Sequence, residues 1–146
     1  MQPSKTPPSP SAFELPIEVQ PEHIDFLGHV NNIVYVQWIQ DVTAAHWESV
    51  SSPAIRAEVS WVVLRHEIDY KQAALPGDKL LACTWVGPAK GLSFERHVEI
   101  LRANDRKLLV RARSLWCPYD ASSGRPRRVT PEVRALMSSE TGEASG

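Results

Sequence analysis

Between Asn32 and Glu48 the chain reads Asn-Ile-Val-Tyr-Val-Gln-Trp-Ile-Gln-Asp-Val-Thr-Ala-Ala-His-Trp-Glu, and this segment constrains the fold more than any other. Its spacing predicts one helix from about Asn32 to Glu48. Tyr35, Trp38, Ile39, Val42 and Ala45 fall on one broad face, and Ile33, Val34, Val36 and Trp47 widen it. Gln37, Gln40, Asp41 and Glu48 leave only a narrow polar stripe. A helix apolar around so much of its circumference has to be enclosed by other elements, not merely laid on a surface. Asn31 and Asn32 are both good N-caps, because their amide oxygens accept from unpaired N–H groups. Pro53 and the serines around it are expected to end the helix.

The remaining regular segments read as strands. Phe13 to Val19 precedes the helix, and four segments follow it. Val59 to Tyr70 is rich in β-branched and aromatic residues. Val59, Trp61 and Val63 have one phase, whereas Val62, Leu64, Ile68 and Tyr70 have the other, so a bulge or face change is predicted near Val62. Pro76-Gly77-Asp78 marks a turn. Leu80 to Val86 is apolar throughout, as in a central strand covered on both faces. Gly87-Pro88 and Lys90-Gly91 punctuate the next connection. Leu92, Phe94, Val98 and Ile100 alternate with Ser93, Glu95, His97 and Glu99. Asn104-Asp105 marks a hairpin from which Lys107 to Trp116 returns. Thr130 is placed to cap a short last helix with Pro131 at its first position. Strand, long helix, then four strands joined mostly by turns is an α+β order: an antiparallel sheet around one enclosed helix. Such a sheet keeps an apolar outer face and edge, which pairing with a second copy would cover.

The 146 residues fit one domain, and the apolar fraction of 42% supports an ordinary core. We expect a disordered leader over 1–12, which carries Pro3, Pro7, Pro8 and Pro10, one folded domain over 13–137, and a small polar disordered tail over 138–146. The net charge of −1 supplies no global field toward nucleic acid or an anionic membrane, so neither is an expected partner. No run approaches a membrane span, and the leader has no apolar segment of signal-peptide type, which makes the cytoplasm the default location. Cys83 and Cys117 sit in strand-like runs without a Cys-x-x-Cys pattern and read as reduced core thiols.

Polar chemistry concentrates immediately before the helix, in His23-Ile-Asp25-Phe-Leu-Gly28-His29-Val-Asn31-Asn32. A helix N-terminus offers free N–H groups and a positive dipole end, which favour developing negative charge on an oxygen. Asp25 suits a general base or nucleophile, and equally a turn or helix cap; spacing does not separate these readings. Gly28 permits a tight turn or positive φ. His29 would hydrogen-bond a carbonyl, orient Asp25, or tie the loop to the backbone. Asn31 and Asn32 read first as caps, and the backbone N–H near Asn32 is the candidate oxyanion donor. Tyr35, Trp38 and Trp47 are core residues or walls of an apolar pocket. His46 and His66 read as half-buried structural histidines; neither forms a metal-ligand pair, so no metal is expected. There is no Gly-x-Ser-x-Gly, phosphate loop or dinucleotide fingerprint. Arg65, Lys90, Arg96, Arg125, Arg127 and Arg128 include candidates for binding phosphates, beside the reading of a solvated charged surface.

The run Asp25-x-x-Gly28-His29-Val30-Asn31-Asn32-x-x-Tyr35-x-x-Trp38 resembles the active-site segment of hotdog-fold thioesterases. Nearest are the 4-hydroxybenzoyl-CoA thioesterase type and its acyl-CoA and acyl-carrier-protein relatives. Ile68-x-Tyr70 with Pro76-Gly77-Asp78, Gly91-x-Ser93-Phe94, and Gly124-Arg125-Pro126-Arg127 extend the resemblance over residues 13–137. It implies a sheet wrapped around one helix, active sites at a dimer interface, and thioester hydrolysis without a metal or a separate cofactor, coenzyme A being part of the substrate. It maps the attacking or base carboxylate onto Asp25 and the oxyanion donor onto the backbone at Asn32, with His29 and Asn31 shaping the loop. Gly28, Tyr35, Trp38, Ile39, Trp61 and Phe94 are the expected substrate-binding residues, the last four as tunnel wall. Where relatives often carry a second acid, this chain has His23. Several relatives carry a glutamate on the middle of the helix, where this chain has Gln40-Asp41.

The expected activity is therefore hydrolysis of an acyl-CoA or acyl-carrier-protein thioester by a homodimer or homotetramer. A hotdog-type 3-hydroxyacyl dehydratase or hydratase is the alternative enzyme, but the acid standing before the Gly-His pair fits the hydrolase pattern better. A non-catalytic acyl-ligand-binding subunit, with Asp25 as a cap alone, is the alternative outside catalysis.

Overall fold

The apolar circumference of the Asn32–Val50 helix (α1) is met by a five-stranded antiparallel sheet. The computed structural model describes residues 12–138. Apart from Ala12 and Ser138, the leader and tail expected at 1–12 and 138–146 lie outside these residues. In chain order the strands are β1 (Phe13–Glu18), β2 (Val59–Tyr70), β3 (Lys79–Lys90), β4 (Ser93–Arg102) and β5 (Leu108–Asp120). Two short helices join them, α2 (Pro53–Glu58) and α3 (Pro131–Ser138). The strands lie side by side in the order β1-β3-β4-β5-β2, so β1 and β2 are the edges.

Cross-strand register gathers one face of the sheet under the helix. Phe94 pairs with Trp116, Arg96 with Ser114, Val98 with Ala112 and Ile100 with Val110. Side chains alternate along each strand, so these pairs all project to the same side. Tyr35, Trp38, Ile39 and Val42 of α1 pack there against Leu80, Ala82, Val98, Ile100, Val110 and Ala112. A second cluster of Trp47, Val59, Phe94, Val133 and Met137 fastens α3 to the C-terminal end of α1. Asn31 caps α1 as expected, its side chain accepting from the Ile33 N–H at 3.1 Å. Thr130 does the same for α3 through the Val133 N–H at 3.2 Å.

Three boundaries differ from the sequence reading. Pro53 does not simply end α1: Ser52 accepts from the Ile55 N–H and Pro53 occupies the first turn of α2, so the serine–proline run closes one helix and opens another. β3 continues through Gly87-Pro88 to Lys90, because a register shift between Val86 and Ala89 absorbs a proline that cannot donate to the ladder. The face change in β2 lies between Val63 and Arg65, beyond Val62. Trp61, Val63, His66 and Ile68 are therefore half-buried, and Val62 and Leu64 point outward at 41% and 55% exposure. Cys83 and Cys117 are free and buried; burial pushes both thiols up, Cys83 to about 11, which makes them poor nucleophiles.

If α1 is held by its buried face, Ile39→Ala will cost about 2–5 kcal/mol, because a fully enclosed side chain leaves a cavity. Asn31→Ala will cost about 1 kcal/mol through the lost cap. Urea unfolding at one protein concentration ranks the two, and an equal loss would contradict this account.

Candidate active site

The motif before α1 folds into a miniature hairpin. Ile24 bridges Val30, the Asp25 N–H donates to the His29 carbonyl at 2.9 Å, and the Asn31 N–H donates to the His23 carbonyl at 2.9 Å. The Gly28 N–H returns to the Asp25 carbonyl at 3.0 Å. Gly28 has φ +83°, a left-handed conformation that a side chain would strain. The Val30 N–H donates to the Ala74 carbonyl at 3.1 Å and anchors the hairpin to the body of the fold.

Asp25 is half-buried, and its Oδ1 accepts from the Leu27 N–H at 2.9 Å. That bond orients the carboxylate and leaves Oδ2 without a protein donor among the described residues. His29 is exposed and its ring makes no hydrogen bond among them. Asn31 is occupied as the cap. The Asn32 carbonyl accepts from the Tyr70 hydroxyl at 3.3 Å, whereas its N–H, at the first position of α1, has no acceptor among the described residues. His23, in the place of the second acid, accepts from the Gln20 N–H through Nδ1 at 2.9 Å and packs edge-on against Trp38. Around this loop Phe26, Leu27 and Ile33 are 95%, 66% and 71% exposed.

The described residues also enclose a cavity of about 250 Å³ farther along α1. Gln40, Thr43, Ala44 and Trp47 of α1 form one side, and Trp61, Phe94, Arg96 and Trp116 of the sheet form the other. Met137 of α3 closes one end. Trp61 stands edge-on to both Trp47 and Phe94, with ring centroids 5.5 and 5.9 Å away. Arg96 was a candidate for a solvated surface or phosphate contact; it is instead 2% exposed on the inner face. Its Nη1 donates to Thr84 Oγ1 at 2.9 Å and to His46 Nδ1 at 3.1 Å. Accepting from a guanidinium requires a neutral His46 protonated on Nε2. Burial and the adjacent Arg96 charge pull the His46 pKa down to about 3. Burial pulls Arg96 down to about 9, which leaves it a cation at neutral pH.

The expected residues thus divide between two places. Asp25, Gly28, His29, Asn31 and Asn32 come together at the tip of α1. Trp61 and Phe94 line the cavity. Tyr35, Trp38 and Ile39, expected to bind substrate, face the core instead and do not line it: they pack with Leu80, Ala82, Val98, Ile100, Val110 and Ala112, and Tyr35 also meets Tyr70. The Tyr35 hydroxyl is occupied by the Ala74 N–H at 2.9 Å, and burial raises its pKa. Arg96, Trp116 and Thr43 were missed as cavity residues. Arg96 stands in phase with Phe94 and Val98, and that phase was the available signal.

The sequence model of the thioesterase-like superfamily matches residues 19–137. No curated protein matches the chain significantly. Among solved structures it is similar to a 1,4-dihydroxy-2-naphthoyl-CoA thioesterase from Synechocystis, with TM-score 0.75 and 19% identity over 86% of this chain and 95% of that one. A probable thioesterase from Escherichia coli aligns with TM-score 0.77 and 20% identity over 85% of this chain and 95% of that one. A 12:0-ACP thioesterase from Umbellularia californica aligns with TM-score 0.74 and 17% identity over 86% of this chain and 49% of that one. These likenesses establish the hotdog fold.

The buried His46 carries a pH signature. Above its unfolded pKa of about 6.5 both states are neutral there; below it the unfolded chain takes a proton that the folded chain refuses, so stability falls with pH. His46→Gln keeps an acceptor for Arg96 and should remove about 1 kcal/mol of the loss between pH 7.5 and 5.5. Urea unfolding at the two pH values measures it; an unchanged loss refutes the assignment.

Proposed function

The chain belongs to the thioesterase-like superfamily, and on that premise we propose that it hydrolyses an acyl-CoA or acyl-carrier-protein thioester to a free acid and a thiol. The observation that carries this reading is the unpaired Asn32 N–H at the tip of α1, beside a loop that holds Asp25 by one carboxylate oxygen. The thioester carbonyl oxygen accepts from that N–H, and the helix dipole favours the charge it gains. Asp25, through its free oxygen, either takes the proton of an attacking water or attacks the carbon itself to form an anhydride that water opens. Either route adds one water across the C–S bond and releases the thiolate, which leaves as the thiol. No cofactor is required beyond the coenzyme or carrier that forms part of the substrate. Lys90, Arg125, Arg127 and Arg128 are the proposed contacts for its phosphates.

We further propose that the working unit is a homodimer or a homotetramer. β2 pairs with β5 along one side and, among the described residues, has no strand on the other, and it exposes Val62 and Leu64. The apolar surface at Phe26, Leu27 and Ile33 needs cover as well. A second copy added along β2 would remove the open edge.

Asp25→Asn keeps an oxygen for the Leu27 N–H, so the loop should stay folded while kcat on the best substrate of an acyl- and aryl-CoA panel drops about 10²- to 10⁴-fold. Free thiol release is the readout. A panel in which no thioester is cleaved above the Asp25→Asn rate would remove hydrolysis of CoA thioesters. Leu64→Asp, placing a charge on the β2 edge, should convert the oligomer to monomer in sedimentation or light scattering; an unaltered mass would exclude this edge as the interface.

A further inference from the structure

One wall of the cavity beside α1 carries a buried cation that no carboxylate among the described residues pairs. Arg96 is the one charged residue lining it. Its hydrogen bonds run through Nη1 alone and reach only neutral groups, Thr84 and His46. Among the described residues no carboxylate lies within ion-pair distance of Arg96. The carboxylates of β4 serve the opposite face of the sheet, where Glu95 holds Arg113 and His97, and Glu99 holds Arg111. Trp61 and Trp116 give ring surface to the same walls, while their indole nitrogens lie out of reach of the open space and have no acceptor among the described residues. Native interiors satisfy nearly all such donors and pair their buried charges. A buried cation on the wall of a largely apolar cavity has a plain complement: an anionic group carried on an apolar body.

We propose that this cavity binds the far end of the acyl group and that this end carries a carboxylate, seated on Arg96 beside the rings of Trp61 and Trp116. The word acyl rests on the hydrolase reading above; the preference for a carboxylate rests on the cavity alone. A plain alkyl chain would leave the cation unpaired, and a lone hydroxyl would supply no charge. The volume of about 250 Å³ is small beside the roughly 300–1,000 Å³ of drug-sized sites and suits a single ring or a short chain. Ile33, Gln37, Gln40 and Ala44 follow one another at helical spacing along an exposed flank of α1 that joins the tip to the cavity. At 1.5 Å per residue, Gln40 stands about 12 Å along the helix from Asn32, so the carboxylate is remote from the reacting carbon.

The test is a titration of the full-length protein with benzoate and with its neutral isostere benzamide, followed by tryptophan fluorescence and calorimetry at pH 7.5. The proposal expects benzoate to bind at least tenfold more tightly, and that preference to vanish in Arg96→Met. Equal affinity for the two, binding of neither, or an undiminished preference in a folded Arg96→Met overturns it. If Arg96→Met does not fold, Ala44→Glu decides: it places a competing carboxylate at an exposed lining position and should weaken benzoate at least threefold while sparing benzamide. Benzoate binding unaffected by that change overturns the proposal. For the acyl assignment, ω-carboxyacyl-CoA thioesters from adipyl to sebacyl are compared with alkyl-acyl-CoA thioesters of equal length. The best ω-carboxy member should have at least tenfold higher kcat/KM in wild type, and an equal value removes the assignment. Release of thiol from none of them would end the hydrolase reading, and the benzoate titration would still decide the cavity.

Discussion

The off-centre seat of α1 on its sheet is the constraint from which the rest of the molecule follows. The helix lies nearest β1 and β3. There Tyr35, Ile39 and Val42 are almost wholly removed from water, each burial contributing on the order of 1.5–3 kcal/mol. Tyr70 of β2 still meets the start of α1, but near Trp61 of β2 and Trp116 of β5 the helix and sheet leave space between them. Large rings from Trp47, Trp61, Phe94 and Trp116 occupy that side, and their edge-on packing leaves a cavity between them. The strand order independently leaves β2 as an edge of the sheet, with Trp61 on it facing the cavity.

Polar residues divide the interior along its length. On β4 the inward positions run Phe94, Arg96, Val98, Ile100, so a guanidinium separates the two apolar clusters. On α1 the matching position is held by His46, between Val42 and Trp47. Thr84 completes the arrangement from β3, and His66 with Ser114, in contact at 2.6 Å, continues it toward β2. A polar belt in a low-dielectric interior is costly unless its groups are satisfied. Here the helix side is satisfied and the cavity side is not, which is the asymmetry a bound acceptor would correct.

Much of the architecture was legible in advance because it is written in period and in local capping chemistry. The enclosed helix, its Asn31 cap, the order of strands, the Asn104-Asp105 hairpin and the Thr130 cap are all properties of short windows. The misplaced boundaries share one cause. Ser52 and Pro53 were read as a stop, and Gly87-Pro88 as an interruption, although each is also compatible with continuation when the neighbouring backbone supplies a cap or a bulge. The loop chemistry was legible too: a carboxylate, a glycine and two asparagines before a helix imply a tight turn and a free N-terminal donor. The cavity was not. Trp61 and Phe94 were named for their size and chemistry, but Tyr35, Trp38 and Ile39 could not be told from them, since apolar side chains on a helix apolar nearly all round carry no label for the neighbour they meet.

By itself the sequence determined that one buried helix must be wrapped by an antiparallel sheet, and that polar chemistry must gather at that helix's N-terminus. Both are matters of residues close together in the chain, governed by periodicity and by unpaired backbone donors. Only the tertiary structure decided that Arg96 of β4 meets His46 of α1, that no carboxylate among the described residues reaches it, and that the rings of Trp61 and Trp116 share its cavity. Those facts depend on strand register and on the lateral position of the helix, which join residues some fifty positions apart. No local pattern encodes such a meeting, because it is the sum of many weak contacts over the whole sheet that sets where the helix comes to rest.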